Sequence, residues 1–255
     1  MGFLTDVVDR IRRDLSADPP DPVSLRERAA AAPPPRDLAA ALRAPGIGVI
    51  AEIKRASPSA GRIAETDPGA RAAAYERAGA AAVSVLTERT HFGGSNDDLQ
   101  AARACTSLPI LRKDFVVHPA QVLEARAAGA DAILLITAAL SDDEVQVLLA
   151  AAAGEGMAAV VEAHTARDLA RAVASGARVL GVNARDLETL EVDAGRARAL
   201  LADAPPDRVR ILESGIGTAE DVRLAAEAGA DAVLVGEALM RAPDPEAKLR
   251  ELTGR

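Results

Sequence analysis

Few residues in this sequence are of the kinds that mark exported, membrane-spanning or metal-binding proteins. Its 255 residues include one cysteine, one tyrosine, three phenylalanines and no tryptophan. The lone Cys105 cannot form an intramolecular disulfide, and no cysteine or histidine cluster has metal-ligand spacing. The N-terminus lacks the unbroken apolar stretch of a signal peptide, and no later run approaches the roughly 18 residues of a membrane span. We therefore predict a cytoplasmic protein with no metal site and no membrane partner.

Positively charged residues are also fewer than negatively charged ones. The chain has 30 Lys and Arg against 38 Asp and Glu, a formal net charge of −8. An acidic surface argues against nucleic acid or an anionic membrane as the main partner. An anionic substrate would therefore need a local positive site. Hydrophobic residues make up 49% of the chain, which is enough to fill one large core.

The N-terminal part differs in composition from the rest. Residues 4–15 show helical spacing, and the Pro-rich stretch from 17 to 35 then predicts an irregular connection. We expect residues 1–48 to form a helical extension packed on the main domain, which would span residues 49–255.

From Val49 onward, short aliphatic runs alternate with longer stretches of helical spacing, as in repeated βα units. Several runs are apolar on consecutive residues, which is typical of parallel strands covered on both faces. The eight predicted strands are Val49 to Lys54, Ala82 to Thr87, Pro109 to Lys113, Ala132 to Ile136, Ala158 to Glu162, Val179 to Asn183, Val209 to Glu213 and Ala232 to Gly236.

A repeat precedes every second strand: RAGAAAVSVL, AAGADAILLI, ASGARVLGVN and EAGADAVLVG. Its glycine follows a helix, where it supplies the left-handed turn that reverses the chain; these glycines are Gly79, Gly129, Gly176 and Gly229. An open doubly wound sheet gives no reason for equally spaced repeats, and no GxGxxG loop follows the first strand. The pattern predicts an α/β fold, a single (β/α)8 TIM barrel with an N-terminal helical extension.

Polar residues stand where several of these strands end, at the rim that carries catalytic groups in such barrels. Glu52 and Lys54 are two residues apart and so point to the same side of the first strand. Charged groups that share one barrel mouth must pair, and they perturb one another's pKa. The candidate catalytic residues are Glu52, Lys54, Lys113, Glu162, Asn183, Glu213 and Ser214, with Arg185 beside them.

Glycine-bearing turns follow the last two strands. A phosphate held there would meet backbone N–H groups and a helix N-terminus, the usual phosphate site of these barrels. The turns contain Gly215 and Gly217, and then Gly236 and Glu237. We predict a phosphorylated small-molecule substrate.

Two of the three phenylalanines, Phe92 and Phe115, fall in loops on the same rim and could form an apolar wall for an aromatic ring. The histidines His91, His118 and His164 are interpreted as surface residues or as residues that support the site from behind.

The ordered segments IAEIKRASPSAG, SVLTERTHFGGS, LPILRKDFVV, AGADAILLI, VVEAH, LGVNARDLETLEVD, ILESGI and GADAVLVGEALMRAPDP resemble those of the indole-3-glycerol-phosphate synthases. The resemblance runs from about Val49 to Leu252. It implies ring closure, decarboxylation and dehydration of 1-(2-carboxyphenylamino)-1-deoxyribulose 5-phosphate in tryptophan biosynthesis, with neither metal nor organic cofactor. Contact with other enzymes of that pathway is left open.

The resemblance also implies a role for each site residue. Lys113 would be the general acid of ring closure, Lys54 would bind substrate and serve as a candidate acid for dehydration, and Glu162 would be the general base. Glu52 and Glu213 would shape the charge around the lysines. The remaining expected contacts are Asn183 with the ribulose hydroxyls, Ser57 and Ser214 with the substrate, Arg185 with its carboxylate, Gly215, Gly236 and Glu237 with its phosphate, and Phe92, Phe115, Leu134 and Leu187 with its ring.

The chain departs from the family at Ala184 and Asn96, and its N-terminal region is short and proline-rich. Within that region, Phe3 is expected to contribute to the aromatic pocket. Two alternatives remain. A phosphoribosylanthranilate isomerase would use a Cys and Asp pair, whereas the first strand here supplies Glu52 and Lys54. A barrel that binds ligand without catalysis is the other alternative.

Overall fold

The computed structural model describes residues 2–58, 61–63 and 66–254. Its eight-stranded parallel sheet closes on itself in the order β1-β10-β9-β8-β7-β6-β5-β4, and β2 and β3 pair as a small antiparallel hairpin. The strands are β1 Gly48–Ile53, β2 Ala56–Ser57, β3 Gly61–Arg62, β4 Ala82–Leu86, β5 Ile110–Lys113, β6 Ala132–Ile136, β7 Ala158–Ala163, β8 Val179–Asn183, β9 Val209–Glu213 and β10 Ala232–Val235.

Helices follow the barrel strands and form the outer layer. They are α1 Phe3–Ala17, α2 Pro22–Ala31, α3 Leu38–Leu42, α4 Pro68–Arg77, α5 Arg89–Phe92, α6 Asn96–Cys105, α7 Pro119–Ala128, α8 Asp142–Gly154, α9 Ala166–Ala174, α10 Ala194–Ala202, α11 Ala219–Glu227, α12 Glu237–Arg241 and α13 Pro245–Thr253, with a short 3₁₀ turn at Thr137–Ala139. None of the described helices is long and apolar enough to cross a membrane.

The predicted TIM barrel is confirmed. All eight predicted strands are present: three have the predicted bounds, four differ by one residue at one end, and β1 is shifted by one residue at both ends. The four repeat glycines all adopt left-handed backbone conformations, with φ between 80° and 91°. L-residues with a Cβ rarely adopt this conformation, so these positions favour glycine at the turn from helix to strand.

The irregular connection predicted between residues 17 and 35 is wrong in its middle part, because α2 forms there. Asp21 is the N-cap of α2, and its side chain accepts hydrogen bonds from the N–H groups of Val23 and Ser24. Pro22 occupies the first helical position, where its fixed φ suits the helix and its missing N–H is not needed. Pro22 therefore begins this helix instead of preventing it.

The helices before β1 pack on the barrel. Leu4, Val7 and Val8 of α1 are buried in the same apolar core as the barrel strands. The second helix, α2, packs against α7, and α3 packs against β1 and β4. The N-terminal segment therefore covers part of the barrel wall and brings Phe3 to the rim at the carboxyl ends of the strands.

Strand pairing sets the level of the polar side chains at this rim. Asn183 is the register partner of Glu213 across β8 and β9, and Glu162 pairs with Ile136 across β7 and β6. Neighbouring strands therefore end at about the same height. Their last inward-pointing residues meet at one mouth.

Candidate active site

A cavity of about 610 Å³ opens at the carboxyl ends of the strands, a volume that suits a small-molecule ligand. It brings together all the site residues predicted from the sequence. These are Glu52, Lys54, Ser57, Phe92, Lys113, Phe115, Leu134, Glu162, Asn183, Arg185, Leu187, Glu213, Ser214, Gly215, Gly236 and Glu237.

Lys113 lies at the centre of the charged groups. Its Nζ is 3.0 Å from Oε2 of Glu162 and 3.1 Å from Oε2 of Glu213. Glu162 and Glu213 are almost fully buried, at 0% and 1% exposure. The ammonium therefore bridges two carboxylates that come from different strands and have little contact with water.

This arrangement moves the pKa of each group. Burial opposes the charged form of Lys113, but the carboxylates of Glu162, Glu213 and Glu52 together raise its pKa above the ordinary value. Burial likewise opposes the charged form of Glu162, but Lys113 and His164 lower its pKa. For Glu213, burial raises the pKa to about 8, and repulsion from Glu162 adds to that effect. The two neighbouring glutamates therefore differ in the direction in which their surroundings move the pKa, downward for Glu162 and upward for Glu213.

Polar atoms in this cluster are left without well-formed hydrogen bonds. Among the described residues, Oε1 of Glu162 and both carboxylate oxygens of Glu213 have no hydrogen-bond partner of acceptable geometry. Lys113 and His164 lie within ion-pair distance of two of these oxygens, but without good hydrogen-bond alignment. Buried polar atoms are nearly always well paired, so this cluster is a candidate functional site.

The first strand contributes a second ion pair. Nζ of Lys54 is 2.8 Å from Oε1 of Glu52, which confirms that the two side chains share one side of β1. A Cβ built on Gly236 would lie 2.9 Å from Nζ of Lys54 and closer still to the carboxylate of Glu52. The absence of a side chain at Gly236 therefore lets this ion pair approach the turn after β10.

The two predicted phosphate turns differ in the hydrogen bonds that their backbone N–H groups make. In the turn after β9, the N–H groups of Gly217 and Thr218 donate to the carboxylate of Asp221. In the turn after β10, Gly236 precedes the first turn of α12, whose N–H groups have no intrahelical partner. An anion beside Gly236 would also be close to Lys54, so the structure favours this side of the mouth.

Polar groups from β8 and β9 complete the rim. Oδ1 of Asn183 accepts a hydrogen bond from the N–H of Arg185, and Nη1 of Arg185 donates to the carbonyl of Leu190. Ser214 and Leu190 both have positive φ, at 68° and 65°. Non-glycine residues rarely adopt this conformation, and such strain is concentrated at functional sites.

Aromatic side chains form one wall of the cavity. The ring of Phe115 lies 6.4 Å from that of Phe92 and 6.2 Å from that of Phe3, and the Phe3 ring packs edge-on against His91 at 5.0 Å. The expectation that Phe3 reaches the pocket is confirmed. Leu134 and Leu187 extend the apolar surface.

Sequence reasoning missed several residues at the site. Leu190 and Val192, from the loop after β8, line the cavity, although no periodicity marks them. Gly181 lies inside the barrel, where a Cβ would collide with the carboxylate of Glu213. The glycine in LGVN was a visible signal of close approach, but it did not reveal which side chain approaches.

In the described part of the chain, no group of three or more His, Cys, Asp or Glu side chains could hold a metal ion.

Comparisons with known proteins agree with this geometry. The family model described as indole-3-glycerol phosphate synthase matches residues 4–252. The indole-3-glycerol phosphate synthase of Mycobacterium ulcerans is 51% identical over 252 residues, covering 98% of this chain and 93% of the relative. That of Micrococcus luteus is 52% identical over 259 residues, covering 98% and 96%. A solved 3-hexulose-6-phosphate synthase covers 82% of this chain and 99% of its own with a TM-score of 0.64, but at 16% identity it shows the fold alone.

Proposed function

The chain belongs to the indole-3-glycerol phosphate synthase family, and we propose that the residues at its barrel mouth divide the steps of the family's reaction among them. The enzyme is a carboxy-lyase of tryptophan biosynthesis. Ring closure, decarboxylation and dehydration convert 1-(2-carboxyphenylamino)-1-deoxyribulose 5-phosphate into indole-3-glycerol phosphate. The Lys113 ammonium held between Glu162 and Glu213 is the observation that carries the proposal.

Lys113 is the general acid of ring closure. As the aromatic ring attacks the ketone carbon, negative charge develops on the ketone oxygen, and a proton from Nζ neutralises it. Buried carboxylates keep Lys113 protonated before substrate arrives, as its raised pKa indicates. Loss of carbon dioxide then restores the aromatic ring.

Dehydration needs a second acid and a base. The new hydroxyl leaves as water once it receives a proton, and another proton must leave the forming five-membered ring. Lys54 would supply the first, a role supported by the position of its Nζ beside the turn after β10. Glu162 is suited to take the second, because its lowered pKa keeps it ionised.

The rest of the mouth holds the substrate. The phosphate binds beside Gly236, where the N–H of Glu237, the Lys54 ammonium and the turn at Gly215 face one space. Arg185 addresses the substrate carboxylate, Asn183 the hydroxyls, and Ser57 and Ser214 make further polar contacts. The ring packs against Phe92, Phe115, Leu134 and Leu187.

The test is product formation by purified protein from the synthetic substrate, with indole-3-glycerol phosphate and carbon dioxide released in equal amounts. Glu162→Gln then separates base from binding group. We expect its single-turnover rate to fall about 100-fold, which is a typical contribution of a general base, with substrate affinity within a few-fold of the parent. Affinity that falls in proportion to the rate would make Glu162 a binding residue and move the base to Glu52 or Glu213.

We further propose that the enzyme acts in the cytoplasm on this phosphorylated small molecule, and that nucleic acid is not a partner. The net charge of −8 argues against nucleic acid as a partner, and a single cysteine fits a reducing compartment.

A further inference from the structure

His164 lies directly behind the charged cluster, one residue beyond the end of β7. Its side chain is buried, and its Nε2 is 3.2 Å from Oε1 of Glu162. Lys113 approaches the other oxygen of the same carboxylate, at 3.0 Å from Oε2. The Glu162 carboxylate is thus held between an imidazole on one side and an ammonium on the other.

We propose that His164 is a positioning residue for Glu162: its Nε2–H holds Oε1 so that Oε2 stays turned toward Lys113 and the substrate. This inference rests on the proposed role of Glu162 as the general base. His164 does not line the cavity and is not given contact with the substrate.

The backbone on both sides of this contact is fixed. Oγ1 of Thr137 donates to the carbonyl of Glu162 at 2.7 Å, and Nη1 of Arg196 donates to the carbonyl of His164 at 2.9 Å. The main chain is therefore anchored, and the remaining freedom of Glu162 is rotation of its carboxylate. Since Oε1 has no well-formed hydrogen bond among the described residues, the imidazole is the group placed to restrict that rotation.

Well-aligned hydrogen bonds to other residues do not explain the position of the His164 ring. Neither Nδ1 nor Nε2 has a well-aligned hydrogen bond to a described residue. A buried polar ring without partners costs stability, and such cost is expected at functional positions. Catalytic hydrogen bonds are often poorly aligned before substrate binds and tighten in the complex.

The charge of His164 acts in the same direction. When protonated, it lowers the pKa of Glu162, after the larger effects of burial and of Lys113. The other charged groups that face this region are Asp186 after β8 and Arg196 on α10. The pKa of Asp186 is lowered mainly by backbone hydrogen bonds from Thr189 and Glu188, and to a smaller extent by His164. Beyond Glu162 lie Lys113 on β5 and Glu213 on β9. A cationic His164 therefore helps Glu162 to remain ionised.

Two substitutions separate hydrogen bonding from charge. The amide of Gln in His164→Gln can donate close to the position of Nε2, whereas His164→Leu cannot donate at all. Because hydrogen bonds to charged groups are strong, we expect His164→Leu to lower kcat about 10-fold or more with KM within about 3-fold, and His164→Gln to keep most of the parent kcat. Both variants remove the imidazole that helps to lower the pKa of Glu162, so the acid limb of kcat against pH should move to higher pH in both.

His118→Leu is the matched control. His118 caps α7 through Nδ1 and has no contact with Glu162, so its loss should leave kcat and the pH profile unchanged. Melting temperatures of all three variants report on folding. If His164→Leu does not fold, the shifted acid limb of His164→Gln still tests the proposal.

Parent-like kcat and pH profile in His164→Leu would overturn the inference, as would a His164→Gln variant that is as slow as His164→Leu. Failure of the proposed activity would appear as no product from the parent enzyme, and failure of the proposed role of Glu162 as a Glu162→Gln variant that retains the parent rate. An inactive Glu162→Gln together with a fully active His164→Leu would refute only the positioning role.

Discussion

Buried carboxylates occur at both ends of the barrel, but their surroundings differ. Asp131, just before β6 at the rim opposite the cavity, is 1% exposed and accepts hydrogen bonds from the N–H of Arg36 at 2.7 Å and of Ile110 at 2.6 Å. Arg103 donates to it as well. Glu213 at the mouth is equally buried, yet neither of its oxygens has a well-formed hydrogen bond among the described residues.

Both residues are buried carboxylates, and they differ in how completely their oxygens are hydrogen-bonded. At the rim opposite the cavity, called the closed rim from here on, the protein itself supplies the hydrogen-bond donors to Asp131. These hydrogen bonds connect the segment before α3 to the start of β5 and to α6. At the cavity mouth, called the open rim from here on, Lys113 contacts two glutamates whose oxygens are incompletely hydrogen-bonded among the described residues. A carboxylate with complete partners stabilises the fold, whereas one with incomplete partners serves a ligand at some cost in stability.

The largest effect should come from Lys113→Met, which removes the cation shared by Glu162 and Glu213. A general acid contributes about 10² to 10⁴ in rate, so we expect kcat to fall in that range. Steady-state kinetics and a melting curve on the same preparation check this. Near-parent turnover would show that another group protonates the ketone oxygen.

Gly236→Val tests the phosphate side of the open rim. The added side chain would displace Lys54 and Glu52 and fill the space beside the N–H groups. We expect KM to rise by about 10-fold or more, equivalent to about 1.4 kcal/mol of binding energy. Gly154→Ala is the control, since a Cβ there meets no atom within 4 Å. An unchanged affinity for substrate would place the phosphate elsewhere.

At the closed rim, Asp131→Asn should reduce stability and spare catalysis. The amide cannot accept from all the donors around it, so we expect a loss of about 1 to 3 kcal/mol in the free energy of unfolding. Denaturant unfolding and kcat measured together would show this separation. Asp207→Asn, at an exposed carboxylate, provides the baseline. A fall in kcat of the folded enzyme would contradict the contrast between the rims.

Glu213→Gln should show a pH-dependent gain in stability relative to the parent. Because the folded pKa of about 8 lies above the ordinary 4.5, the folded parent holds a proton that the unfolded chain releases. The parent therefore loses stability as the pH rises through this interval, and a glutamine does not. The melting temperature of Glu213→Gln relative to the parent should increase from pH 5 to pH 8. A constant difference would show that Glu213 titrates normally.

The sequence was sufficient for features that follow from local patterns. Polar residues that end apolar runs mark the mouth, and the two-residue spacing of Glu52 and Lys54 predicts their common side. The repeat glycines predict the reversals between helices and strands. Each of these signals lies within a few neighbouring residues, where chain geometry alone decides the outcome.

Features that depend on contacts between distant segments were not predictable in the same way. That Gly181 makes room for Glu213 depends on the packing of two strands inside a closed barrel. That His164 faces Glu162 while Asp131 binds Arg36 and Arg103 depends on side-chain positions in three dimensions. The roles assigned to individual site residues remain predictions until the variants above are measured.

Closure of the barrel joins the first barrel strand to the last, with Ala51 of β1 paired with Val235 of β10. The turn at Gly236 and the Lys54 ammonium beside it therefore come from opposite ends of the barrel sequence. Chains emerge from the ribosome N-terminus first, at about 5–20 residues per second. Lys54 leaves the ribosome long before Gly236 does. A nascent chain therefore cannot complete the proposed phosphate site until β10 has been synthesised and has paired with β1.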